Sequence, residues 1–131
     1  MIYLDSSALL KLLFLERETT ELRQWVLDRA GLVLTSSELA KVEVVRGCWR
    51  VDAGFLPAAR QLLSGLNLIP LTGAVIDRAG SIGDPLLRSL DALHLASALS
   101  VAAELTAFVA YDRRLIAAAG SASLVTAQPG S

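Results

Sequence analysis

The sequence predicts an α/β fold in which a central five-stranded parallel sheet is flanked by helices. Two observations predict it. Five short runs are rich in apolar, β-branched or aromatic residues, and a stretch of helical character separates each from the next. At 131 residues the chain is also of the length that forms one domain with a real core, so residues 1–131 are expected to be a single domain.

The strand-type runs are Ile2–Leu4, Leu32–Thr35, Leu68–Leu71, Phe108–Tyr111 and Leu124–Thr126. Between the first two, Ser7–Leu15 and Thr19–Ala30 read as helices joined near Glu16–Glu18. Ser37–Val51 is a third helix. Pro57–Leu66 is a fourth, with proline at its start, where the missing N–H costs nothing. Thr72–Gly80 is a short helix, and Gly83-Asp84-Pro85 marks a turn. Ser89–Glu104 is apolar on almost every face and is expected to be buried. Arg113–Ala119 closes the series before Gly120, and a short tail beyond about residue 126 is expected to be loose. Trp25 and Trp49 fit helix packing better than base stacking.

Hydrophobic residues make up 53% and charged residues 19%, against a usual charged share of about 25%. Some apolar surface therefore calls for a partner chain. A formal net charge of -1 argues against a protein that coats nucleic acid by counterion release alone, so any nucleic-acid site must be local. Cys48 is the single cysteine, which rules out an intramolecular disulfide and a thiolate metal cage, and it fits a small core residue in a reducing compartment. The N-terminus carries Asp5 and Lys11 where a leader would be apolar, and His94 and Glu104 interrupt the apolar stretch 92–110. The expectation is a cytoplasmic protein without a membrane span.

In open α/β sheets the ligand crevice lies outside the carboxyl ends of the strands. That rule sorts the acids. Asp5 follows the first strand and Asp112 the fourth; Glu43 lies in the helix after the second strand, and Asp91 in the first turn of SLDALHLASAL. Each has a simpler reading. Asp5 and Asp112 suit helix N-caps, Asp91 suits a helix dipole, and Glu43 can pair with Arg46 at i+3. Four acids brought to one crevice are a different matter, because their repulsion calls for a cation. Carboxylates without Cys or His partners select a hard ion, Mg²⁺ or Mn²⁺. Such an ion lowers the pKa of water and steadies charge on a phosphate, which points to phosphodiester hydrolysis.

Elimination agrees. Two-histidine, metal-free cleavage cannot operate with His94 alone, and neither a G-x-S-x-G elbow nor a G-x-x-x-x-G-K-[ST] phosphate loop is present. His94 lies one turn after Asp91, where a satisfied helix histidine is the simpler reading. Arg46, Arg50, Arg113 and Arg114 lie close in sequence to the acids and suit substrate phosphates or, equally, a solvated surface.

YLDSSALLKLL, SSELAKVEVVRG, SLDALHLASAL and FVAYDRRLIAAA together resemble the PIN-domain family, and more narrowly the VapC-type ribonuclease toxins of type II toxin–antitoxin pairs. The resemblance spans residues 1 to about 126. It implies that Asp5, Glu43, Asp91 and Asp112 are the catalytic quartet, with Asp5 and Asp91 as Mg²⁺ ligands. It further implies sheet order 3-2-1-4-5, metal-dependent cleavage of structured RNA such as tRNA or rRNA, a homodimer, and a small VapB-type antitoxin whose tail blocks the crevice. The second motif offers both Glu38 and Glu43; Glu43 matches E-x-x-R.

Other readings of an α/β domain with acids at strand ends compete. A DNA-directed PIN or flap-type nuclease shares the metal chemistry. A receiver-like regulatory module needs a phosphoacceptor aspartate after the third strand, where Leu71-Thr72 stands, and a lysine late in the chain, whereas the lysines are Lys11 and Lys41. A haloacid-dehalogenase-type phosphatase needs a second aspartate two residues after Asp5, where Ser7 stands.

Overall fold

Ile2, Tyr3 and Leu4 form strand β1 (Ile2–Leu4), and all three are fully buried. A strand with no exposed face must be central and covered on both sides. A computed structural model, which describes residues 1–131, places β1 in the middle of a five-stranded sheet. Its neighbours are β2 (Leu34–Ser37) and β4 (Ala107–Val109); β3 (Asn67–Ile69) lies outside β2, and β5 (Thr126–Ala127) outside β4. Every pairing is parallel and the order is 3-2-1-4-5. Receiver-type sheets run in the order 2-1-3-4-5, so that architecture is excluded.

Seven helices make the crossovers: α1 (Ser6–Leu13), α2 (Thr19–Leu27), α3 (Leu39–Val51), α4 (Leu56–Ser64), α5 (Gly73–Gly80), α6 (Ser89–Leu99) and α7 (Arg113–Ser121). The alternation of β1 decides which core each residue joins. Ile2 and Leu4 enter a core with Leu9, Leu22, Val44, Cys48 and Leu63, under α1 to α4. Tyr3 faces the other way and joins Leu95, Phe108, Leu115 and Ala119, under α6 and α7. As expected, Cys48 is buried and α6 is largely enclosed.

Strands β3, β4 and β5 are each displaced by one or two residues from their expected runs, and four further features differ. Strand β2 lies at Leu34–Ser37, not Leu32–Thr35, because its end is built from buried hydroxyl residues that an apolar criterion passes over. Ser36 Oγ donates to the Leu4 carbonyl at 2.7 Å, and Ser37 Oγ accepts from Leu39 N, so α3 begins at Leu39. The long helix expected to reach Glu104 ends at Leu99, where Ser100 Oγ donates to the Ser97 carbonyl; a short 3₁₀ turn, Ala102–Glu104, follows. The tail expected to be loose is seated. Ala127 pairs with Val109, and Tyr111 O–H donates to the Pro129 carbonyl at 2.8 Å. Trp25 packs on the core with Arg29 over its ring, but Trp49 lies on the outer face of α3 and is 57% exposed.

From β1 the chain builds outward to β2 and β3, then returns to β4 on the opposite side of β1. The strand order therefore reverses between β1 and β4, and the crevice rule points to the carboxyl ends of those two strands.

Candidate active site

Asp5 is the first residue after β1 and is 4% exposed. It is the N-cap of α1: its Oδ1 accepts from Ala8 N at 2.9 Å and from Ser7 Oγ at 2.6 Å. Burial raises its pKa above the usual carboxylate value. The charge of Asp91 adds to the rise, and His94, Ser7 and the Ala8 amide oppose it without cancelling it. Asp5 is thus both a cap and an acid held where its charge is costly.

Asp112, three residues past β4, repeats the arrangement at α7. Its Oδ1 accepts from Arg114 N and Leu115 N, each at 3.0 Å, and its Oδ2 lies 3.7 Å from Arg88. Asp91 sits in the first turn of α6, with its Oδ2 receiving Nε and Nη2 of Arg88, both at 3.3 Å. Glu43 comes from α3, little more than one turn in. Its Oε1 accepts from Ser6 Oγ at 2.7 Å and lies 2.6 Å from His94 Nε2. Partial burial opposes ionisation of Glu43, but the hydrogen bonds from His94 and Ser6, with the charge of Arg50, outweigh it, so its pKa is lowered.

These four side chains line one cavity of about 210 Å³, together with Ser6, Ser7, Leu10, Arg50, Arg88 and His94. Glu38 is exposed at the start of α3 and is not among the lining residues, so Glu43 is the acid of the second motif that reaches the cavity. A second cavity of about 390 Å³ shares Arg88, Asp91 and Asp112 and adds Leu86, Tyr111, Arg113 and Arg114. Of the arginines expected to meet substrate, Arg50 lines the first cavity and Arg113 and Arg114 the second. Arg46 is exposed on α3 and lines neither. A larger cavity, about 600 Å³ between α5, α6 and α7, is mainly apolar and has Asp84 as its one acid.

Two residues of the site carry more than the sequence reading gives them. Arg88 joins the two cavities and touches both Asp91 and Asp112; its i,i+3 spacing to Asp91 is the signal the sequence offers. His94 is buried among site residues, at 1% exposure, and its spacing to Asp91 places it on the same helix face.

The four acids are spaced round the cavity rather than clustered at one point. They share a cavity, but no three of the His, Cys, Asp and Glu side chains stand together closely enough to hold one ion directly. Each carboxylate is also engaged by a donor of its own chain. The oxygen-only donor set still fits a hard, hydrated cation. Mg²⁺ keeps several waters and takes only one or two protein carboxylates.

Known proteins resemble the chain closely. The PIN domain family matches residues 2–121. Ribonuclease VapC47 of Mycobacterium tuberculosis is 48% identical over 134 residues, covering 100% of this chain and 98% of that protein. Ribonuclease VapC35 of the same organism is 41% identical over 132 residues, covering 99% and 98%. Among solved structures, a chain in the crystal structure of VapBC2 from Rickettsia felis bound to a DNA fragment from their promoter superposes with a TM-score of 0.76. It covers 98% of this chain and 99% of that one; at 12% identity the likeness is one of fold.

Proposed function

The chain belongs to the PIN-domain family, and we propose that it is a VapC-type endoribonuclease, the toxin of a toxin–antitoxin pair, cutting structured RNA such as tRNA or rRNA with the help of Mg²⁺ or Mn²⁺. The observation that carries this reading is the gathering of Asp5, Glu43, Asp91 and Asp112 round one cavity at the carboxyl ends of β1 and β4. The full-length likeness to the two M. tuberculosis ribonucleases supports it.

In this reading Asp5 and Asp91 hold the cation. When bound, it supplies a polarised water and neutralises charge developing on the phosphate. Asp5 favours binding because Ser7, the Ala8 amide and His94 only partly offset the cost of its buried charge. Glu43, ionised and held through Oε1, keeps its second oxygen to orient the attacking water and receive its proton. Asp112 is held by the α7 amides and completes the negative wall. Arg50 and Arg88 border the reacting phosphate, while Arg113 and Arg114 in the adjoining cavity hold its neighbour along the strand.

The partners follow. A small VapB-type antitoxin would cover the crevice. A homodimer would cover some of the exposed apolar residues, among them Leu15, Val42, Trp49 and Val51. No helix is long and apolar enough to cross a membrane, and the proposed place of action is the cytoplasm.

The test is incubation of the protein with total RNA, with and without a chelator, followed by mapping of the cut sites. Cutting that stops on chelation and returns with Mg²⁺ is the expected result; cutting indifferent to chelation refutes the metal. Matched RNA and DNA oligonucleotides then separate an RNA-directed from a DNA-directed enzyme.

A further inference from the structure

His94 is the most enclosed polar side chain of the site, and although it lines the cavity it offers no free ring nitrogen there. Both ring nitrogens are taken. Nδ1 lies 2.7 Å from the Tyr3 hydroxyl, and Nε2 lies 2.6 Å from Glu43 Oε1 and 3.2 Å from Ser6 Oγ. Tyr3 is itself clamped. Its ring stacks on Phe108 at 5.3 Å between centroids and meets the imidazole edge-on at 5.9 Å. Tyr3, His94 and Glu43 form one line from the sheet to the catalytic carboxylate.

We propose that His94, seated by Tyr3, is a positioning residue that aims Glu43. It engages Oε1 as a donor through Nε2–H and leaves Oε2 as the oxygen offered to water or cation. The inference rests on the reading of Glu43 as a working carboxylate.

Donors and acceptors along this line fix the tautomer. The buried Tyr3 hydroxyl carries its proton at neutral pH and stands 2.7 Å from Nδ1, close enough to donate to it. When that proton is given to Nδ1, the imidazole is the neutral tautomer with hydrogen on Nε2, the nitrogen that faces Glu43. Ser6 donates to the same Oε1, so both bonds fall on one oxygen. A free glutamate side chain has three rotatable bonds, and holding it in one geometry costs rotamer freedom. Two donors, themselves buried, impose that restraint before substrate arrives. An exposed donor such as Arg50 would not do the same, because solvent competes for it.

Three variants and two readouts test the proposal. In His94→Phe the packing volume stays but both bonds go. His94→Gln keeps a donor near the Nε2 position. Tyr3→Phe removes one hydroxyl and little else, and so guards against failure of the buried variants to fold. The first readout is the ¹⁵N chemical shift pattern of the imidazole, which needs no activity: hydrogen on Nε2 with Nδ1 unprotonated is expected, with loss of that pattern in Tyr3→Phe. Hydrogen on Nδ1 alone, or on both nitrogens, in the unaltered protein overturns the proposal. The second is steady-state RNA cleavage at saturating Mg²⁺. Removing a partner that orients a working side chain typically costs 10–100-fold, so His94→Phe is expected to lose roughly 10–100-fold in kcat at unchanged KM, with His94→Gln recovering most of it. Equal activity of His94→Phe and His94→Gln, at any level, overturns it. If the unaltered protein cuts no RNA, the proposed function fails, and the tautomer measurement still decides the His94 assignment by itself.

Discussion

Replacing Asp5 in two ways separates its role in the fold from its role in the site. Asp5→Asn keeps an Oδ1 that can accept from Ala8 N and Ser7 Oγ, the two bonds that the carboxylate now takes. Asparagine and aspartate are comparable N-caps. What changes is the charge, which burial makes unfavourable, as the raised pKa records. The sign follows from linkage: an acid with a raised folded pKa lowers stability once ionised above that pKa, and regains it as pH falls toward the unfolded value. At pH 7 and without divalent ions, Asp5→Asn should therefore be at least as stable as the parent. Asp5→Ala removes the cap, worth about 1 kcal/mol, and leaves a buried donor unpaired, about 1–3 kcal/mol. The sum is roughly 2–4 kcal/mol, or a fall in melting temperature on the order of 10 °C for a domain of this size. Both variants should lose RNA cleavage by at least about 10²-fold, the loss of several kcal/mol of electrostatic stabilisation. Calorimetry with EDTA and with Mg²⁺ completes the test. A cation at a hundred times its Kd adds about 2.7 kcal/mol to the parent and should add far less to either variant. If Asp5→Asn melts as low as Asp5→Ala, the charge is needed by the fold and the burial argument is wrong; undiminished cutting by Asp5→Asn refutes the site.

Glu43 should show the opposite pH sign. Its folded pKa lies below the usual 4.5, so its contribution is present above that value and is lost as pH falls through the folded one. Urea denaturation from pH 3 to 7 should show a shallower acid limb for Glu43→Gln, and an unchanged limb contradicts the assignment. Arg88→Ala should change stability by less than about 0.5 kcal/mol, because its guanidinium is largely exposed. It should nevertheless tighten Mn²⁺ binding, by removing a competing cation from Asp91 and Asp112, and weaken RNA binding by the chelated protein; effects of the same direction on both ligands would show that Arg88 is not shared between them. Gly47 packs α3 against α1, and an added Cβ would lie 2.9 Å from Leu10 Cδ2, the end of a flexible side chain. Gly47→Ala should stay within about 1 kcal/mol, since helix propensity gains about as much as the shift costs. Gly47→Val should destabilise by about 1–3 kcal/mol in chemical denaturation, and a neutral valine would show that the two helices separate freely.

The sheet is readable from composition where its strands are apolar and unreadable where they are not. Ile2–Leu4 matches the strand residue for residue, because a fully buried parallel strand has no polar side to confuse it. Strand β2 lies two residues beyond its apolar run because Ser36 and Ser37 are buried by hydrogen bonding, to Leu4 O and from Leu39 N, and no hydropathy pattern reports a satisfied hydroxyl. The tail is hidden for a related reason. Its hold on the domain is one strand pair and one bond from Tyr111, a residue 18 positions earlier. The crevice rule picks out the four acids that line the cavity because each follows a strand or lies near the start of a helix. His94 and Arg88 are harder. Their importance lies in contacts with residues 51 and 24 positions away, Glu43 and Asp112, which no local spacing announces.

At the level of sequence the cap reading and the metal reading of Asp5 compete; the structure shows the cap, and a cap carboxylate can still serve the proposed cation. Asp5 caps α1, Asp112 caps α7, and Asp91 lies in the first turn of α6. Three of the four acids thus stand at helix N-termini, where unpaired amides and the helix dipole favour negative charge, each by roughly 0.3–1 kcal/mol. For Asp5 and Asp112 the parallel sheet brings this about, since β1 and β4 each deliver the chain at their carboxyl end to the start of a helix; α6, which carries Asp91, follows α5 instead. Collecting carboxylates for a hard cation would otherwise cost much in mutual repulsion. Here the helices offset part of that cost in the metal-free protein, while burial at Asp5 keeps the offset incomplete. In the proposed reading, that remaining cost is what a cation would offset on binding. It follows that lengthening the connection between β1 and α1, so that Asp5 no longer caps, should weaken Mg²⁺ binding even with the carboxylate retained. Titration calorimetry on a variant with one glycine inserted between Asp5 and Ser6 tests this, and binding as tight as the parent's would show that the cap and the cation site are independent after all.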